Sequence, residues 1–228
     1  MSISVVIPCF NEEKNLKKIL NKSIKFIKLV KNSEIIIVNN GSTDNSIDIL
    51  KKTNFKKKNI KIINIKKNIG YGHGIKTGLK CSKNIFVSWT HADLQCDIFD
   101  ISRGYKILKN TTNYENCFVK GKRINRSKFD TFFSFLMALI ASFFLKKKMI
   151  DINAQPKIFH RKFLKIMLTG PNDFNLDLFA YNKLLKKGLK EINILVNFKK
   201  RKYGLAKGGG SIKGKISLSL KTLKYIFR

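Results

Sequence analysis

The chain has 228 residues, enough for one large domain, and its hydrophobic content of 43% supplies a core. A formal net charge of +33, mostly from lysine, favours anionic partners: nucleotides, lipid phosphates or an anionic membrane. Cys9, Cys81, Cys96 and Cys117 show no CxxC pair and no metal-ligand spacing; they read as reduced thiols in a cytosolic setting, which excludes a disulfide scaffold or a thiolate zinc site.

Residues 4–9 form a β-rich run and read as a strand rather than a secretory leader. Asn11-Glu12-Glu13 opens an amphipathic helix with Leu16, Ile19, Leu20, Ile24 and Ile27 on one face. Residues 34–38, EIIIV, predict a strand buried on both faces. NNGSTDNS follows as a turn, then a helix start capped by Ser42, Thr43 or Asp44. Residues 60–65 are a third strand, NIGYGHG precedes a helix through 76–80, and residues 84–89 are a fourth strand ending at HADLQ. This alternation predicts an α/β sheet with mainly parallel strands and flanking helices. In such sheets ligands bind beyond the carboxyl ends of the strands. Residues 9–12, 39–44, 68–74 and 91–95 sit at four such ends, which points to a nucleotide-type site.

The second half is less regular. Residues 117–120 predict a strand leading into KGKRINR. FFSFLMALIASFFL, residues 132–145, spans about 21 Å as a helix, short of the roughly 30 Å bilayer core. It reads as a membrane-interface helix, or as a buried or homodimer-interface helix, rather than a span. DINAQPKIF runs from a loop into a strand, residues 174–187 form a helix ended by Gly188, and residues 192–198 form another strand. KKRKYGLAKGGG is a basic, glycine-rich loop; Ile216, Leu220, Leu223 and Phe227 then mark the apolar face of a basic C-terminal helix. The expected division is 1–207 as the domain and 208–228 as a basic amphipathic tail. Within the domain, 1–97 is the nucleotide half and 98–207 the acceptor half, including the apolar helix 130–145.

SVVIPCFNEEKNL, EIIIVNNGSTDNS, NIGYGHGIKTGL and THADLQ, followed in order by KGKR, DINAQPK, NDFNLDLF and RKYGLAKGGGS, resemble family 2 glycosyltransferases of the GT-A fold. The resemblance covers about residues 2–211 and lies toward the dolichyl-phosphate mannose synthase and bacterial polyprenyl-phosphate glycosyltransferase branch. It implies a Rossmann-like nucleotide-diphospho-sugar transferase using a UDP- or GDP-linked sugar with Mg²⁺ or Mn²⁺. On that likeness Asp93 holds the metal, with Gln95 and His91 beside it; His91 stands where the family has an aspartate, and a neutral imidazole can ligate Mn²⁺. Pro8, Phe10, Glu12, Asn39, Asn40, Gly41, Asp44 and Gly70 match nucleotide-pocket positions. Asn39-Asn40 replaces the usual aspartate pair, and Asp44 reads equally as a helix cap. Asp177 is the first candidate base for a hydroxyl acceptor and Asp151 the second; in so basic a chain both also read as salt-bridge partners. Gln155 joins them on the acceptor side. Lys120, Lys122, Arg123, Arg201 and Lys207 match basic positions facing donor or acceptor phosphates, with Arg123, Arg201 and Lys207 as the site candidates.

The expected activity is inverting transfer to a membrane lipid phosphate, with transfer to a sugar hydroxyl in cell-surface glycan synthesis as the alternative. The expected location is cytoplasmic, peripheral at the cytoplasmic membrane face. Nucleic acid is not an expected partner, since no helix-turn-helix, RNP-type block or zinc finger accompanies the charge. A nucleotide-binding relative without turnover is the remaining reading.

Overall fold

The structure, a computed structural model, describes residues 1–52, 59–204 and 211–227. In chain order the strands are β1 (Ile3–Cys9), β2 (Ser33–Asn40), β3 (Ile60–Ile65), β4 (Phe86–Trp89), β5 (Cys117–Ile124), β6 (Lys157–His160) and β7 (Lys190–Asn197). The helices are α1 (Glu13–Leu29), α2 (Ser46–Lys52), α3 (Tyr71–Lys80), α4 (Ile98–Lys109), α5 (Lys128–Leu145), α6 (Leu164–Leu168), α7 (Leu176–Lys186) and α8 (Ile212–Ile226).

The strands join one seven-stranded sheet in the order β3-β2-β1-β4-β6-β5-β7. All pairings are parallel except those of β6 with β4 and β5. The centre of the sheet is apolar on both faces. Val5, Ile7, Ile35 and Ile37 pack against Leu16, Ile19 and Leu20 of α1, while Val6, Ile36 and Val38 pack with Ile75 and Leu79 of α3. This alternation divides one hydrophobic run between two helical layers. Chain order reverses at β1: β2 and β3 lie on one side of it and β4 on the other. Such a switch point leaves a crevice beyond the strand ends, because the connections leave in opposite directions.

Several boundaries differ from the sequence expectation. Asn39 and Asn40 end β2 rather than beginning the turn, because both continue the ladder with β3. Tyr71 already lies in α3, so the last four residues of NIGYGHG are helix. β5 continues to Ile124 because its whole length pairs with β7. Helix α5 starts earlier, at Lys128, with Ser127 Oγ accepting the Asp130 N–H as its cap. Its 18 residues make it long and apolar enough, by length and composition, to cross a membrane, whereas the run read from sequence was too short. Only 11% of it is buried.

Helix α8 also turns differently. Ile216, Leu220 and Phe227 of the predicted apolar face are exposed. Tyr225 and Ile226 contact the core instead, Phe227 meets the Phe144 ring at 4.6 Å, and Lys215 pairs with Asp130 at 2.5 Å.

Candidate functional site

A cavity of about 760 Å³ opens beyond the carboxyl ends of β1, β2 and β4, roofed by α5 and α8. Pro8, Phe10 and Glu12 enter it from the end of β1, Asn40 from β2, and Gly70 from the loop before α3. His91, Asp93 and Gln95 line it from the HADLQ loop, and Arg123, Asp177 and Arg201 from the second half. Residues separated widely in sequence therefore share one space.

The other sequence candidates support this wall from behind. Asn39 donates to Asn64 Oδ1 at 2.7 Å, across the β2–β3 pair. Gly41 has φ +72°, and a Cβ there would lie 2.3 Å from the Asn68 backbone nitrogen, so glycine lets the two loops touch. Asp44 accepts the N–H groups of Glu13 and Ser46 at 3.1 and 3.0 Å, serving the starts of α1 and α2. Asp151 and Gln155 are not among the lining residues. Lys207 lies outside the described residues.

Below the cavity Asp177 and Gln155 meet in a polar cluster with Trp89 and Lys157, two residues the sequence did not single out. Asp177 is 1% exposed, and its Oδ1 accepts from Trp89 Nε1 at 3.1 Å, Gln155 Nε2 at 2.8 Å and Lys157 Nζ at 2.8 Å. Lys157 is fully buried, and burial lowers its pKa against the opposing pull of Asp177. Three donors therefore converge on Oδ1. The Tyr71 hydroxyl beside it is held well above its ordinary range by burial, then by the charges of Asp177 and Asp93.

Tyr71 also explains the place of His91. Its ring stacks between the His91 ring at 5.4 Å and the Phe174 ring at 4.8 Å. The imidazole is thus packed beside Asp93 where the family pattern has a carboxylate. The flanking aromatics in NIGYGHG and NDFNLD were the only hint of this in the sequence.

At the end of β5 Arg123 and Asp151 form a bidentate pair, with Nε at 2.9 and 3.2 Å from the two carboxylate oxygens and Nη2 also in contact. The Arg123 backbone N–H adds a bond at 2.8 Å. Burial pushes the Asp151 carboxyl up, but the hydrogen bonds and charge of Arg123 outweigh it and hold the group below the ordinary carboxylate range. Asp151 is therefore positioned to orient Arg123. Arg126 lies next to it and donates to Ser134 Oγ at 2.9 Å, while its buried Nε has no protein partner among the described residues. Both guanidinium groups cover the Phe198 ring, at 5.1 and 5.6 Å. Arg126 Nη1 also lies 3.7 Å from Asp151 Oδ1, so the two guanidinium groups share this carboxylate. Lys120 is turned away: it is buried, donates to the carbonyls of Gly121 and Asp151, and is lowered to about 7 by burial and then by Lys157.

The donor chemistry for a divalent ion is partial but suitable. No group of three or more His, Cys, Asp or Glu side chains gathers among the described residues. Mg²⁺ bound with a nucleotide needs only one or two carboxylates, the phosphates and water supplying the rest. Asp93 Oδ1 accepts the Gln95 N–H at 3.0 Å, and Oδ2 faces the Arg201 guanidinium at 3.6 Å across the cavity wall. Asp93 thus fits as the protein ligand, with His91 and Gln95 at hand.

Comparison with known proteins bears on the fold and the family. A dolichyl-phosphate beta-glucosyltransferase of Dictyostelium discoideum is 29% identical over 131 residues, 53% of this chain and 39% of that one. The chain thus spans about two fifths of that relative's length. An uncharacterized protein of Methanocaldococcus jannaschii is 28% identical over 203 residues, 84% of this chain and 86% of that one. Among solved structures, glucosyl-3-phosphoglycerate synthase from Mycobacterium tuberculosis, in complex with Mn²⁺, UDP-glucose and phosphoglyceric acid, superposes with a TM-score of 0.71. The identity is 15%, over 97% of this chain and 77% of that one, and the likeness establishes the GT-A fold. The family model described as Glycosyl transferase family 2 matches residues 4–167, which hold the switch-point crevice, the HADLQ loop and the Arg123–Asp151 pair, and the chain belongs to that family.

Proposed function

We propose that the protein transfers a glycosyl group from a nucleoside-diphosphate sugar of the UDP or GDP type to an acceptor hydroxyl, inverting the anomeric configuration. The observation that carries this is the placement of Asp93 and Asp177 on one cavity, with Asp177 locked through a single oxygen. Pro8, Phe10 and Asn40 form the nucleoside end. Asp93, assisted by His91 and Gln95, would hold Mg²⁺ or Mn²⁺. That ion supplies positive charge to the leaving diphosphate. Arg201 contributes a second cation there.

At the other end the acceptor hydroxyl attacks the anomeric carbon. Its proton passes to the Asp177 carboxylate as the new C–O bond forms. The bond to the diphosphate breaks, and its electron pair leaves with the nucleotide. Arg123 and Arg126 hold an anionic group on the acceptor. The Mycobacterium enzyme, whose fold this chain shares, was solved with phosphoglyceric acid.

A second reading is transfer to a lipid phosphate, which is already ionised and needs no base. It is supported by the exposed apolar faces of α5 and α8 beside the cavity, and by the dolichyl-phosphate relatives. In this reading the enzyme is cytoplasmic and sits on the anionic membrane face.

Thermal shifts with UDP, GDP, CDP and dTDP, each with and without Mn²⁺, test the donor half. A ligand at 100 times its Kd adds about 2.7 kcal/mol of stability. The expected result is a metal-dependent shift for one nucleotide, absent in Asp93→Ala; no shift with any nucleotide sinks the proposal. Turnover of the matching sugar nucleotide with a phosphorylated hydroxy acid, set against a polyprenyl phosphate, then separates the two acceptors.

A further inference from the structure

We infer that Arg201 is a tethered competitor of the divalent ion: it occupies the cavity side of Asp93 until a metal-bound diphosphate draws it away. This rests on the reading that Asp93 holds the metal.

Arg201 reaches the site from far along the chain. Its Nη2 donates to Glu12 Oε1 at 2.5 Å, and its Nη1 lies 3.6 Å from Asp93 Oδ2. The three side chains are 18%, 8% and 14% exposed, so their charges act with little screening by water. Glu12 shows how strongly this corner needs a cation. Burial raises its carboxyl, the nearby Asp93 charge adds to that, and Asn15 and Arg201 oppose them. Glu12 Oε2 is already held by Asn15 Nδ2 at 2.6 Å, which fixes the carboxylate that grips the arginine.

The backbone carrying Arg201 is fastened to the HADLQ loop itself. Lys199 N–H donates to the Gln95 carbonyl at 2.9 Å, and Gln95 Nε2 donates to the Lys199 carbonyl at 3.0 Å. Phe198 N–H bonds the Ile124 carbonyl at 3.1 Å. Two residues beyond this clamp, Arg201 Nε is turned toward its own strap by a bond to the Tyr203 carbonyl at 2.9 Å. The backbone is held at Lys199, and the guanidinium is joined to it through a long side chain whose torsions can redirect it. The guanidinium can therefore change partner without the strap leaving the loop.

Two cations cannot both sit against Asp93 at close range without mutual repulsion. A bare divalent ion must displace Arg201. An ion that arrives with a diphosphate brings new anionic oxygens, to which a guanidinium binds well. The arrangement makes free metal a poor ligand and the metal–nucleotide complex a good one. Arg201 is here a positioning residue that sets the order of binding.

Mn²⁺ binding followed by EPR, without and with UDP or GDP, tests this on the full chain. Arg201→Gln is expected to bind Mn²⁺ alone roughly tenfold more tightly than the parent at low salt, with a smaller gain at high salt. Arg201→Lys, which keeps a charge but loses the fork, is expected to fall between. With nucleotide present the order reverses, and the parent binds the complex best. Unchanged or weaker binding of Mn²⁺ alone by Arg201→Gln overturns the inference. If that occurs while the parent still binds Mn²⁺ with a nucleotide, only the competition fails. If no form binds Mn²⁺ even with nucleotide, the metal role of Asp93 fails with it.

Discussion

Lys157 and Asp177 form a buried ion pair: Nζ and Oδ1 are 2.8 Å apart, and the side chains are 0% and 2% exposed. The pair joins β6 to α7 directly beneath the cavity. Removing Lys157 leaves a buried carboxylate without its counter-charge, which typically costs about 3–5 kcal/mol. Lys157→Met is expected to lower the urea midpoint by a corresponding amount. Asp177→Asn keeps the shape and the Trp89 and Gln155 contacts but cannot take a proton. Its expected effect is a fall in kcat of about 10²-fold or more with a hydroxyl acceptor, and a much smaller change in donor binding. Equal kcat values for Asp177→Asn and the parent would remove it as the base.

The Arg123–Asp151 pair carries a pH signature. The folded-state pKa of Asp151 is below its ordinary value of 3.8. Its contribution is therefore present above the unfolded pKa and is lost as pH falls through the lower folded value. The stability gap between parent and Asp151→Asn should be largest near neutrality and should close below about pH 4. Urea unfolding at a series of pH values reads this directly. Asp44, Asp97 and Asp130 are also held low, but they are common to both proteins and cancel in the difference.

Gly70 sets the position of the Tyr71 stack. Its φ is +146°, and a Cβ there would lie 2.3 Å from the Asn172 carbonyl oxygen. Gly70→Ala must push the 172–174 loop away and separate Tyr71 from Phe174. A loss of about 1–3 kcal/mol in stability is expected. Nucleotide-induced thermal shifts should shrink in parallel; an unchanged melting curve would show that the loop yields freely.

The exposed side of α5 predicts attachment to an anionic surface. Phe132, Phe135, Leu139 and Phe143 are 61%, 62%, 55% and 77% exposed and recur at helical spacing. Exposed lysines lie close by: Lys146 and Lys148 after α5, and Lys221 and Lys224 on α8. Co-sedimentation with phosphatidylglycerol vesicles should exceed that with phosphatidylcholine and weaken with salt. The double change Phe132→Ser and Phe143→Ser should reduce the salt-resistant part. A monodisperse dimer in solution that shields this face and ignores vesicles would assign it to a second copy instead.

The sequence by itself determined the order of strands and helices in the first ninety residues, and with it where a ligand must bind. Apolar runs such as EIIIV, and a 3.6-residue period such as Leu16, Ile19 and Leu20, encode which face is buried. The strand ends then follow from chain order, so Glu12, Asn40 and Asp93 could be named as neighbours in advance. Only the tertiary structure decided which side chains meet. Trp89, Gln155, Lys157 and Asp177 converge from separate elements, and one lysine in so basic a chain carries no mark of its burial. Arg201 reaches Glu12 across 189 positions. The outward turn of Ile216 and Leu220 on α8 is likewise a packing outcome, since a two-sided helix shows its face only once its partner is in place. Periodicity records whether a residue is buried; pairing across the chain is set by how the elements dock.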